Sequence, residues 1–167
     1  MYLYPKPRKK TVMPVDYKQK ILVAAIKVFA QKGYMNTTMS DVSIQAKVGI
    51  GTLYNYFRNK DDLLLNCMKK TIEDEIQHLR DLSDKESDPM DKLHTFFVHH
   101  AELIKSKPYI AKFLVVELRQ SENFYKRNPS YNPLNYYIEF VRDIFNEAMA
   151  CGRIKKMDVD ALSFMVV

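Results

Sequence analysis

The ten residues Gly51-Thr52-Leu53-Tyr54-Asn55-Tyr56-Phe57-Arg58-Asn59-Lys60 constrain this chain more than any other stretch. Leu53 and Phe57 stand four apart, so on a helix they share one face, while Tyr54, Tyr56 and Lys60 carry polar tips that belong elsewhere. A short helix divided in this way has to lie between an apolar core and a polar or polyanionic surface.

What precedes it supports that placement. From Tyr17, the apolar positions Ile21, Leu22, Ala25, Val28 and Phe29 follow helical spacing, and Gly33 is suited to cap a helix that ends near Lys32. Thr38 then offers an N-cap, with Asp41 three residues on completing a capping box. Met39, Val42 and Ala46 give this second helix one apolar stripe to about Ala46, and Lys47-Val48-Gly49 is a tight turn into the aromatic stretch. Two short helices joined so closely form a helix-turn-helix, and Gly51 to Lys60 is read as its DNA recognition helix.

Beyond it the pattern stays helical. Asn59 is an N-cap, and Asp61 and Asp62 suit the positive end of a helix whose Leu65, Met68, Ile72, Leu79 and Leu82 keep one apolar face. Asp88-Pro89 starts the next helix, marked by Leu93, Phe96, Phe97, Ala101 and Ile104, and Pro108 starts another that ends near Ser121. Residues 123–133 read as a loop. Leu134, Tyr137, Ile138, Val141, Phe145 and Ala148 trace a further stripe closed by Gly152, and Asp158 caps a last helix through Leu162 and Met165. The apolar pattern breaks off unfinished at Val167, which predicts more helical sequence beyond it. No strand alternation of useful length, solenoid repeat or low-complexity tract occurs, so the expected fold class is all-α: a three-helix head followed by a helical bundle.

Charge separates the two parts. Residues 1–60 hold eleven Lys and Arg against two Asp and Glu, net +9; residues 61–167 hold fifteen against eighteen, net −3. A basic end on an acidic body is what phosphate binding calls for, although an anionic membrane surface would use it equally. Residues 1–16, with Pro5, Pro7 and Pro14 among four basic residues, read as a mobile basic arm. The resulting division is an arm at 1–16, a DNA-binding head at 17–64 and a bundle at 65–167. No run of eighteen apolar residues and no secretion signal is present, which points to the cytoplasm and away from the membrane. Cys67 and Cys151 lie in separate helix patterns without metal-ligand spacing and read as free thiols. His99 and His100 are adjacent, so on a helix they point about 100° apart and do not readily serve one metal or acid–base site. With no phosphate-cradling glycine loop, nucleophile elbow or HExxH, neither catalysis nor a cofactor is expected.

Taken together, Ile21-Leu22-Val23-Ala24-Ala25 with Phe29 and Gly33-Tyr34, Thr37-Thr38-Met39-Ser40-Asp41-Val42, and Gly51 to Phe57 with Asn59-Lys60-Asp61-Asp62-Leu63-Leu64 resemble the TetR family of bacterial transcriptional repressors. The resemblance covers about Tyr17 to Leu65. It implies a homodimer whose recognition helices enter successive major grooves of an operator duplex, and a divergent bundle that holds a small hydrophobic effector. Carried onto this chain, it implies that Thr38, Tyr54, Tyr56 and Lys60 touch phosphates and that Ile50, Gly51, Thr52 and Asn55 face bases. The chain departs from the usual pattern at the turn, where Lys47 stands in place of the common glycine and Gly49-Ile50 in place of a more polar pair; shape then carries more of the specificity. An apolar effector pocket between the bundle helices would use its aromatic residues, with Phe97, Tyr109, Phe113, Phe124, Tyr137 and Phe140 as candidates. Glu117-Leu118-Arg119-Gln120-Ser121 is similar to a segment of family members that sense long-chain acyl-CoA, which makes Arg119 the candidate for meeting phosphates at the pocket mouth.

The reading is therefore a ligand-responsive DNA-binding regulator, with effector binding changing the separation of the two heads through the helix that starts at Lys60. The alternative, from another class, is a basic helical adaptor or membrane-surface protein with Tyr54 and Tyr56 at a lipid interface.

Overall fold

The structure, a computed structural model, describes residues 16–120, 126 and 134–167, with the side chains of 115–120 and 134 excepted. Among them are eight α-helices and no strand: α1 (Tyr17–Asn36), α2 (Met39–Ala46), α3 (Ile50–Tyr56), α4 (Lys60–Ser83), α5 (Pro89–Ser106), α6 (Pro108–Gln120), α7 (Leu134–Ala150) and α8 (Val159–Val166). The expected arm lies outside the described residues apart from Asp16, whose carboxylate caps α1 by accepting from the Gln19 amide at 3.1 Å. The loop expected at 123–133 also lies outside them, except for Lys126.

Local chemistry sets the helix ends. The Thr38 hydroxyl accepts from the Asp41 amide at 3.1 Å while the Asp41 carboxylate accepts from the Thr38 amide at 2.9 Å, the reciprocal capping box. Asn59, Asp88 and Asp158 cap α4, α5 and α8 through their side chains in the same manner. Gly33 has φ 74° and ψ 161°, a region open in practice to glycine alone, so the regular part of α1 stops there and its last residues run off in a new direction. Lys47 ends α2 in the left-handed conformation, φ 52° and ψ 51°, with its amide donating to the Ile44 carbonyl at 3.1 Å. The turn thus keeps the geometry that glycine adopts most cheaply while carrying a cation instead.

One core runs from the head into the body. Ile21, Ala25 and Phe29 of α1 pack with Val42 of α2, Leu53 of α3, and Leu63 and Leu64 of α4, all without exposed surface. The sequence-based boundary at residue 64 falls inside α4, and the same apolar cluster continues along that helix to Ile72, Ile76 and Leu79. At roughly 1.5 Å per residue, the 24 residues of α4 extend about 36 Å. A second link comes from α6, which lies along α1: the Phe113 ring stacks on that of Phe29 with centroids 6.3 Å apart. In the body, α5 packs against α4, α6 and α7, and α8 folds back on α7 after the turn at Gly152. Lys92 of α5 meets Glu147 of α7 at 2.7 Å, and Arg142 of α7 meets Asp160 of α8 at 2.8 Å.

Both thiols are unpaired. Cys67 is fully buried, which raises its thiol pKa, and Cys151 is exposed. The adjacent histidines of α5 do diverge. The His99 Nε2 stands 2.8 Å from a buried Glu75 carboxylate oxygen, while the His100 Nδ1 lies 2.7 Å from the Phe96 carbonyl.

Candidate functional site

In α3, burial of Leu53 and Phe57 orients the remaining side chains. Both are essentially without exposed surface, whereas Tyr54 is 51%, Tyr56 45% and Ile50 45% exposed. Gly51 and Asn55 are exposed as well, and Thr52 is half-buried. The structure therefore leaves five of these six residues open to solvent on a helix anchored from beneath. The Tyr54 side chain touches no other group through a hydrogen bond or ring contact among the described residues, and Tyr56 makes only a tilted ring contact with Phe57 at 6.5 Å. A Cβ at Gly51 would meet no protein atom within 4 Å. Packing therefore does not require glycine there.

Thr38 and Lys60 have a different setting. The Thr38 hydroxyl both accepts from the Asp41 amide and donates to the Asp41 carboxylate at 2.8 Å, so its hydrogen-bonding capacity is engaged inside the capping box. Lys32 binds the same carboxylate at 2.7 Å. That charge-assisted bond, followed by those from Thr38, holds the Asp41 carboxyl at about 2, below the usual carboxylate range. The Lys60 ammonium donates to the carbonyls of Tyr34 at 2.8 Å and Thr37 at 2.9 Å and sits over the Tyr34 ring, 4.3 Å from its centroid. The Tyr34 hydroxyl in turn bonds the Asp61 carboxylate. Lys60 therefore satisfies the carbonyl end of α1 and ties it to the start of α4, a capping role that sequence spacing does not disclose. Lys60→Met is expected to lower stability by about 1–2 kcal/mol, because two carbonyls lose a charged donor. Chemical denaturation followed by circular dichroism checks this; an unchanged midpoint would show the cap to be dispensable.

Two cations beside α3 were not among the expected contacts. Lys47 is exposed just before it, and the Arg58 side chain, 87% exposed, follows it with only a 3.5 Å approach to Asp62. A basic residue within three positions of each end of α3 was the available signal.

Between α5, α6, α7 and α8 lies a cavity of about 300 Å³, lined by Phe96, Phe97, His100, Leu103, Ile104, Ala111, Leu114, Tyr137, Val166 and Val167. Of the aromatic residues proposed for an effector pocket, Phe97 and Tyr137 line it. Phe113 does not: successive α6 residues point about 100° apart, so Leu114 faces the cavity while Phe113 faces α1. Tyr109 is likewise directed at the head, its ring 5.9 Å from the Lys27 ammonium of α1. Phe140 is buried beneath Arg80 and stacks on Phe96, with centroids 6.0 Å apart, and so supports the cavity wall from behind. The Arg119 side chain and Phe124 lie outside the described residues.

Among the described residues, no cluster of three or more His, Cys, Asp or Glu is placed to hold a metal ion. No helix among them is long and apolar enough to cross a membrane.

A helix-turn-helix with an exposed recognition helix, joined through a common core to a bundle with an open apolar cavity, defines a DNA-binding regulator that responds to a small ligand. Comparison with known proteins specifies the family. Residues 21–67 match the domain described as bacterial regulatory proteins of the tetR family, and residues 68–167 match the C-terminal region of YsiA-like proteins. The chain belongs to the TetR family. It is 30% identical to the fatty acid metabolism regulator protein of Bacillus subtilis over 136 residues, 81% of this chain and 70% of that regulator. The fold superimposes on the transcriptional regulator FadR from Bacillus subtilis, solved in complex with stearoyl-CoA, with a TM-score of 0.80 and 28% identity over 89% of this chain and 80% of that one. Fatty acid degradation regulator FadR from Bacillus halodurans shares the fold, with a TM-score of 0.81 at 23% identity over 92% of this chain and 80% of its own. The protein is a ligand-responsive transcriptional regulator, and the reading as a membrane-surface adaptor is set aside.

Proposed function

We propose that this regulator acts in the cytoplasm as a homodimeric repressor that leaves its operator when a long-chain acyl group, carried as acyl-CoA, enters the cavity between α5 and α8. The observation that carries the DNA half is the pair of exposed, hydrogen-bond-free hydroxyls on Tyr54 and Tyr56, held on a helix whose Leu53 and Phe57 are locked in the core. They contact phosphates, together with Lys47 and Arg58, while Ile50, Gly51, Thr52 and Asn55 face the groove. The bare Gly51 surface admits close approach of the duplex. Thr38 and Lys60, expected at phosphates, serve the interface chiefly by fixing where α2 and α3 lie.

The acyl half is supported by the apolar lining of the cavity and by the similarity to a regulator solved with stearoyl-CoA. Acyl-chain entry displaces α6, whose Ala111 and Leu114 line the cavity and whose Phe113 rests on Phe29 of the head. The heads of the dimer then leave the separation of about 34 Å that matches successive major grooves. Movement thus reaches the head through α6 as well as through α4.

The test starts from duplexes selected out of a random pool by the purified protein. Tyr54→Phe with Tyr56→Phe is expected to weaken binding about 100- to 1,000-fold while the circular dichroism stays helical, since each of the four hydroxyls that the dimer loses contributes about 1 kcal/mol. Addition of long-chain acyl-CoA is expected to dissociate the wild-type complex in fluorescence anisotropy. Unchanged affinity in the double variant would remove the tyrosines from the interface; a complex indifferent to every acyl-CoA length would overturn the effector assignment.

A further inference from the structure

The first turn of α3 is poor in side chains that could hydrogen-bond to a base. It consists of Ile50, Gly51, Thr52 and Leu53, and Leu53 is buried in the core. Thr52 is half-buried, and the exposed amide of Asn55 stands more than a turn beyond Ile50. Ile50 itself is 45% exposed. The glycines on either side leave it standing alone. Among the described residues, a Cβ at Gly51 would meet nothing within 4 Å, and one at Gly49 would meet only the Thr52 hydroxyl oxygen at 3.7 Å.

A single exposed isoleucine is ordinary on a protein surface and by itself carries no meaning. Its position gives it one. Ile50 is the first residue of the recognition helix, the end that a helix-turn-helix presents to base edges. It also stands four residues before Tyr54, so the two share a side of α3. That side therefore carries the exposed Tyr54 and, three residues before Ile50, the exposed Lys47. Groups suited to phosphates flank an aliphatic side chain.

The chemistry of the major groove narrows what such a side chain can recognise. Every base edge there offers donors or acceptors, and thymine alone adds an apolar group, its C5-methyl. Set against a donor or acceptor, isoleucine would displace water and return no hydrogen bond. Set against a methyl group, it buries apolar surface on both partners.

We infer that Ile50 reads the C5-methyl group of a thymine in each operator half-site. The contact neutralises no phosphate and releases no counterion, so its contribution is independent of salt, unlike those of Lys47 and Arg58. The inference rests on α3 entering the major groove, and it adds which chemical group the entering end selects.

The test uses the full chain and the duplexes it selects from a random pool, with each thymine replaced in turn by deoxyuridine, which lacks only the methyl. At one thymine per half-site, the exchange is expected to weaken wild-type binding about fourfold, and about 15-fold when both half-sites are exchanged. The factor is expected to be the same at about 50 and about 200 mM salt. Cytosine and 5-methylcytosine placed at that position opposite guanine are expected to differ equally, in favour of the methylated base. Ile50→Ala and Ile50→Gln are expected to bind the thymine and deoxyuridine duplexes within a factor of about two of each other, so that a cycle of base and side chain shows the coupling. The inference is overturned, with α3 still in the groove, if no thymine responds, if the loss shrinks with salt, or if the variants discriminate as sharply as the wild type. Should neither variant keep a helical circular dichroism spectrum, Ile50 is a packing residue and the inference fails. A pool that yields no preferred sequence would overturn it together with the DNA half of the proposed function.

Discussion

Phe113→Ala is expected to lower the unfolding free energy by about 3–5 kcal/mol, a large share of the roughly 5–15 kcal/mol by which domains are stable. Phe113 has no exposed surface and its ring stacks on Phe29, itself fully buried at the centre of the head. Truncation removes apolar contact on both sides and leaves a cavity where α6 meets α1, a place that neither helix can collapse into without dragging the head. Urea denaturation followed by circular dichroism measures the loss, and Phe113→Leu is expected to recover most of it because it refills most of the volume. The same substitution bears on regulation. Ala111 and Leu114 face the cavity from another face of α6, so loosening Phe113 should weaken the effect of acyl-CoA on DNA affinity even at temperatures where the variant is folded. A loss below about 1 kcal/mol would show that the head and body are not joined through this contact.

His99→Leu is expected to cost about 3 kcal/mol, because it strands the Glu75 carboxylate in the interior. Glu75 is 6% and His99 8% exposed, and the 2.8 Å bond between them joins α4 to α5. Lys107 at 4.0 Å from the other oxygen is largely exposed and offers only a weak substitute. Glu75→Gln added to His99→Leu should return part of the loss, since an unpartnered amide is cheaper to bury than a carboxylate. The double-mutant cycle in chemical denaturation would then report a coupling of about 1 kcal/mol or more; strict additivity of the two substitutions would mean that the pair contributes nothing as a pair.

Some of this architecture was legible in the residues alone. Thr38 with Asp41, Asn59, Asp88 and Asp158 start helices where their spacing says, because a side-chain cap reaches only two or three residues and needs no distant partner. The i, i+4 relation of Leu53 and Phe57 placed both in the core for the same local reason. Lys60 shows where such reasoning stops. Its position at a helix start in a basic segment suggested a phosphate, but its ammonium meets the Tyr34 and Thr37 carbonyls, more than twenty residues away. The aromatic residues of the body divide in the same way. Phe97 and Tyr137 line the cavity while Phe113, Tyr109 and Phe140 face other neighbours, and composition has no means of sorting them.

By itself, then, the sequence determined an all-helical chain with a helix-turn-helix near its start, a basic front and an acidic body, since helix periodicity, capping and charge are properties of residues close together in the chain. Only the tertiary structure decided that α6 rests on α1, that Lys60 closes a helix end, and that Tyr137 and His100 face one cavity. Those depend on how separate helices rotate about their axes when packed, and a turn of about 100° per residue is enough to exchange a cavity wall for an interhelical contact.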